Sequence, residues 1–75
     1  VTLTELTILG RVVTLEHTFT GAIVHLGHAP GQVIGTLDYL PRWDAYASSV
    51  DRDPRSVFDQ LELLVRHHQT GRKSL

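Results

Sequence analysis

The chain has 75 residues, 41 % of them hydrophobic and 20 % charged, with a formal net charge of −1 and no cysteine. That length suits a single small α+β domain over residues 1–75 with a marginal core, since roughly 60 % of the unfolded surface is buried at this size. The missing cysteines exclude disulfides, thiolate metal sites and cysteine nucleophiles, and no apolar run approaches the ~20 residues of a bilayer span, so a cytoplasmic protein without membrane contact is expected.

Val1 stands where an initiator methionine is usual, arginine outnumbers lysine six to one and asparagine is absent. These features are expected of a GTG-initiated gene in a GC-rich bacterium or its phage, although a cloned fragment would begin the same way. Between Thr2 and Leu15, Leu6 and Ile8 share one alternation parity and Val13 and Leu15 the other, which a single strand accommodates with a bulge at Gly10-Arg11. A short helix over residues 2–9, with Thr2 and Glu5 as a capping box, competes with that reading. The stiff β-branched side chains of Thr2, Thr4, Thr7 and Ile8 favour the strand. A tight hairpin at Gly10-Arg11 is a third alternative and adds a strand.

Residues 19–40 predict a hairpin with arms near 20–28 and 32–39, because β-branched residues flank a Pro30-Gly31 pair with type II turn chemistry. A symmetric loop sets Val24 opposite Leu37, Ala22 opposite Tyr39 and His28 opposite Val33. The other side then carries Ile23 with Asp38, His25 with Thr36 and Gly27 with Ile34.

Beyond Leu40 the period lengthens. Trp43, Tyr46, Ala47 and Val50 fall at i, i+3, i+4 and i+7, which predicts a short helix with Pro41 in its first turn. After the Asp51-Arg52-Asp53 break, Asp53 and Pro54 read as N-cap and first helical residue of a second helix. Its stripe of Val57, Phe58, Leu61, Leu64, Val65 and His68 runs to about Gln69, with Gly71 as terminator. Arg55 with Asp59 and Glu62 with Arg66 are i,i+4 pairs on its solvent side. The expected fold is α+β: an antiparallel three-stranded meander, four-stranded if Gly10-Arg11 turns, packed against two C-terminal helices. Val24, Leu26, Val33, Leu37 and Tyr39 supply the strand side of the core, and Trp43, Tyr46, Phe58, Leu61, Leu64 and Val65 the helix side.

Five histidines make metal binding the first chemistry to weigh. His25 and His28 of "HLGHAPG" are three apart, so on a strand they point to opposite faces, while His67 and His68 diverge by ~100° around a helix. No metal site and no cofactor is expected. His67 and His68, with Arg66, Arg72 and Lys73, instead complement a helix C-terminus. Ser48, Ser49 and Ser56 lack a nucleophile-elbow context and there is no Gly-rich phosphate loop, so a non-enzymatic protein is expected.

The most informative feature is a surplus of apolar surface. Ala22 to Leu26 is apolar on both sides, whereas one helical layer covers only one face of a sheet. On the second helix Leu63 lies off the main stripe, in line with Gln60 and His67. Ile23, His25, Ile34, Gln60, Leu63 and His67 are therefore the expected contacts for a protein partner or a second copy, in a homo-oligomeric regulator, inhibitor or assembly factor. The alternative is a nucleic-acid-binding protein in which Trp43 stacks on bases while Arg42, Arg66, Arg72 and Lys73 neutralise phosphates. The slightly negative net charge counts against it.

Overall fold

A computed structural model describes residues 2–73, of which 71–73 by backbone alone. Five strands, β1 (Thr2–Ile8), β2 (Arg11–His17), β3 (Gly21–Leu26), β4 (Gln32–Leu40) and β5 (Ala45–Ser48), precede one helix, α1 (Val57–Lys73). The strands form one antiparallel sheet in the order β1-β2-β3-β4-β5, and α1 lies against β5, β4 and β1. The expected layering of helix on antiparallel sheet is close, but five strands and a single helix replace the three or four strands and two helices read from the sequence.

The first correction lies at Leu9-Gly10, where both residues have positive φ, 52° and 77°. That conformation makes a two-residue turn whose twist matches the flanking strands. Seven consecutive pairs follow without a register shift, from Ile8 opposite Arg11 to Thr2 opposite His17. Folding back, rather than bulging, is what puts Leu6 and Val13 on one face.

The second correction concerns residues 41–50. Trp43 donates its N–H to the Leu40 carbonyl and Asp44 to that of Pro41, with Asp44 at φ 49°. Pro41 and Asp44 suit these turn positions, one by its fixed φ and the other by its tolerance of the left-handed region. The four residues between Leu40 and Ala45 thus close a hairpin, and Tyr46 and Ala47 belong to β5 rather than to a helix. Trp43 and Val50 are exposed in consequence.

Helix α1 begins at Val57, later than an Asp53-Pro54 start requires. Arg55 is still extended, exchanging two backbone hydrogen bonds with Tyr46, and the Asp53 carbonyl is taken by the Gln60 side chain. Ser56 becomes the cap, its hydroxyl accepting the Asp59 N–H. Arg55 accordingly pairs with Asp51 and Asp53, not with Asp59. The helix also continues through Gly71 to Lys73.

One face of the sheet, here the inner face, carries the core. Ile8, Val13, Leu15, Ala22, Val24 and Leu37 are buried beneath Leu61, Leu64 and Val65, with Leu26 and Tyr46 partly buried beside them. Val33, Tyr39, Phe58 and Trp43, expected in the core, are exposed. Helix and sheet approach closely at Gly35, where an added Cβ would lie 2.4 Å from Leu64 Cδ2. Gln60, fully buried, fastens the helix start by accepting the Ser48 N–H at 3.0 Å and donating to the Asp53 carbonyl at 2.7 Å.

The β3–β4 hairpin is shifted from the symmetric pairing. Ala22 faces Leu37 and Val24 faces Gly35, then the register slips so that His25 faces Val33 and Leu26 faces Gln32. Ile34 is the extra residue at that irregularity and packs against the core. Pro30-Gly31 therefore belongs to a loop of residues 27–31 rather than to a tight type II turn.

Candidate functional site

The outer face of the sheet is not covered by a helix, yet its centre is buried. The β3–β4 loop folds back across it. The Gly27 N–H donates to the Val12 carbonyl at 2.7 Å, and the Thr14 hydroxyl donates to the Gly27 carbonyl at 2.6 Å. The His28 ring then reaches the edge strand, with Nδ1 2.5 Å from Glu5 Oε2. Under this loop Thr14 is 1 % and His25 6 % exposed.

His25 is held from both ends of its ring. Nε2 lies 2.9 Å from Glu16 Oε1 and Nδ1 lies 3.3 Å from the Gly31 carbonyl. The Glu16 hydrogen bond, then the one to Gly31, push its pKa above the ordinary histidine value, against the opposing effect of burial. This cluster of Glu5, Thr14, Glu16, His25 and His28 escapes a strand-by-strand reading because its members come from three strands and a loop. Only the cross-strand register, Glu5 beside Thr14 and Thr14 beside His25, brings them together.

The two sheet edges differ. The β5 edge is covered by its own chain through the two Tyr46–Arg55 backbone bonds. At β1, the Ile8–Arg11 pair that closes the tight turn is hydrogen-bonded, so Leu6, Thr4 and Thr2 also address β2. Leu3, Glu5 and Thr7 then direct their N–H and C=O groups outward, where no backbone partner meets them among the described residues. Edge strands are usually guarded by lysine, proline or a bulge. β1 has none of these, and its one charge, Glu5, is paired with His28. Leu3, 51 % exposed, and Val12 add apolar surface to the outer face beside this edge.

The residues expected to contact a partner are not gathered on one surface. His25 is buried under the loop and Gln60 is buried at the helix start, both fully engaged within the chain. Ile34 turns to the core because of the register slip, Ile23 is half-buried on the outer face, Leu63 is half-buried on α1 and His67 is exposed there. Phe19, at the tip of the β2–β3 loop, is fully exposed and was given no role by periodicity, which is silent on loop tips.

Among the alternative nucleic-acid contacts, the Arg42 guanidinium stacks 5.7 Å from the ring centre of Trp43 on the exposed β4–β5 turn. Arg66 is exposed on α1, and the side chains of Arg72 and Lys73 lie outside the described residues. Trp43 also walls a cleft of about 210 Å³ with Asp38, Leu40, Ala47, Ser48, Ser49 and Arg52, below the ~300 Å³ at which small-molecule sites begin. Asp44, beside Trp43, accepts a hydrogen bond from Tyr39, which raises the phenol's pKa. Among the described residues no three His, Asp or Glu side chains are grouped to hold a metal ion, and no helix is long and apolar enough to cross a membrane.

The class these features define is a five-stranded antiparallel meander backed by one helix, with an open first strand and a loop-clasped outer face. No protein-family model, no curated protein and no solved structure matches the chain.

Proposed function

We propose that this protein is a small non-enzymatic interaction module of the cytoplasm, a regulator, inhibitor or assembly factor of a GC-rich bacterium or its phage that pairs with a second copy through β1. The carrying observation is the regular, unguarded β1 edge, with the backbone groups of Leu3, Glu5 and Thr7 free and Leu3 and Val12 exposed alongside. An antiparallel partner strand satisfies such groups, and an identical edge related by a twofold axis is self-complementary. A 75-residue domain with a marginal core gains stability from such pairing.

The test is sedimentation of the wild type and of Thr7→Pro. The Thr7 N–H points outward, so proline there removes an edge donor while leaving the bonds to β2 in place. A dimer that becomes a folded monomer on substitution supports the reading; a wild-type monomer at millimolar concentration overturns it.

A second reading, nucleic-acid binding, draws on the exposed Arg42–Trp43 stack. Asp38 and Asp44 beside the indole oppose a phosphate backbone there. Binding that weakens steeply with salt and is lost in Trp43→Ala would favour this second reading.

A further inference from the structure

We propose that the β3–β4 loop is a proton-operated latch on the outer face: His25 as an imidazolium is anchored to Glu16 of β2 through Nε2 and holds the Gly31 end of the loop through Nδ1, and loss of its proton releases that end. The proposal stands on donor and acceptor counting and is independent of the β1 pairing. The Gly31 carbonyl can only accept, and so can the ionised Glu16 carboxylate. A neutral imidazole has one N–H and satisfies only one of them. The His25 ring is buried whereas Gly31 is exposed, so the Gly31 carbonyl regains a donor by turning outward to water.

The geometry also decides which bond yields. The contact to Glu16 is the shorter, 2.9 Å against 3.3 Å, and faces a carboxylate, so the neutral ring keeps its hydrogen on Nε2. An unprotonated Nδ1 then faces the Gly31 carbonyl, lone pair against lone pair. The other end of the loop stays tied through Gly27 to Val12 and Thr14 and through His28 to Glu5. Opening is therefore hinged at residues 27 and 28, and it uncovers His25 while Thr14 stays bonded to Gly27.

The charged groups around His25 are Glu16 on β2, Glu5 on β1, and His28 in the loop itself; Asp38 lies further along β4, and α1 is on the inner face. Glu16, in contact with the ring, favours the cation. The raised folded-state value carries a definite sign: the clasp is complete below the ordinary value of 6.5 and is lost as pH rises through the higher value of the folded protein. The latch is shut in acid and opens toward the alkaline side.

The test is a pH titration of the ¹⁵N-labelled protein, following the His25 ring nitrogens together with backbone amide exchange at residues 28, 29, 31 and 32, corrected for intrinsic rates, with the Gly27 amide as the internal control that stays protected. Two ring N–H groups are expected at about pH 6. Loop protection should fall roughly tenfold or more across the His25 midpoint, the scale of one lost charge-assisted hydrogen bond. Glu16→Gln keeps an acceptor and removes the charge, and should move the His25 midpoint and the loop opening together to lower pH. A neutral ring with one N–H at about pH 6 would overturn the latch. Loop protection that stays flat through the His25 midpoint, in the wild type alone, would do so equally.

Discussion

The inner face of the sheet is closed by α1 through aliphatic side chains, Leu61, Leu64 and Val65 over Ile8, Val13, Val24 and Leu37, whereas the outer face is closed by the β3–β4 loop through Thr14, His25 and Glu16. Both covers bury the sheet beneath them, but they respond to different variables. Aliphatic burial is proportional to area and nearly indifferent to pH. A polar clasp depends on which groups carry protons, and each of its few bonds is worth little net because water competes for the same groups. The helix is thus the permanent cover and the loop the conditional one. The two edges repeat the contrast: β5 is capped by Arg55 of its own chain, while the outward backbone groups of β1 meet no backbone partner among the described residues.

The difference is broken most severely from the inner side. Leu64 is fully buried, with its methyl groups set against the bare backbone of Gly35. Leu64→Ala leaves a cavity against a residue that has no side chain to fill it, and should cost about 2–5 kcal/mol in urea unfolding. Gln60→Ala comes next. It deprives the buried Ser48 N–H and the Asp53 carbonyl of their partners at the point where the helix joins β5, and should cost about 1–3 kcal/mol by the same measurement. A cost near zero would mean that water reaches this joint, and that Gln60 is a spacer rather than a staple.

These two positions show how much could be read from the residues alone. The stripe Val57, Leu61, Leu64, Val65 recurs at helical spacing and identifies the helix together with its buried face, since that information is local. Gln60 carries no such signal, because its partners Ser48 and Asp53 are set by where the preceding segment runs. Residues 43–50 mislead for a related reason: Trp43, Tyr46, Ala47 and Val50 match a helical period, but Pro41 and Asp44 supply turn chemistry and β4 supplies a strand to pair with, and tertiary pairing prevails. At Leu9-Gly10 the ambiguity was one of parity, which a bulge and a turn satisfy alike. The candidate site was the least legible part. His25 and His28 stood out by spacing, but Glu5, Thr14 and Glu16 join them only through register, and the slip at Ile34 moved that residue from an expected contact surface into the core.

The smallest expected effect sharpens the contrast best. Thr14→Val keeps the shape and β-propensity of the side chain and removes one hydroxyl, the donor to the Gly27 carbonyl. On the inner face a volume-conserving change between aliphatic side chains would leave the contacts nearly intact; here it deletes one hydrogen bond under a loop whose carbonyl can turn to solvent. The expected loss is about 1 kcal/mol, read as a fall of roughly 4–8 °C in melting temperature for a domain of this size. That loss should be additive with Leu64→Ala, since the two side chains lie on opposite faces and share no partner. A double variant that loses markedly more than the sum would mean that helix and loop are coupled through the sheet, and that releasing the outer cover also loosens the inner one.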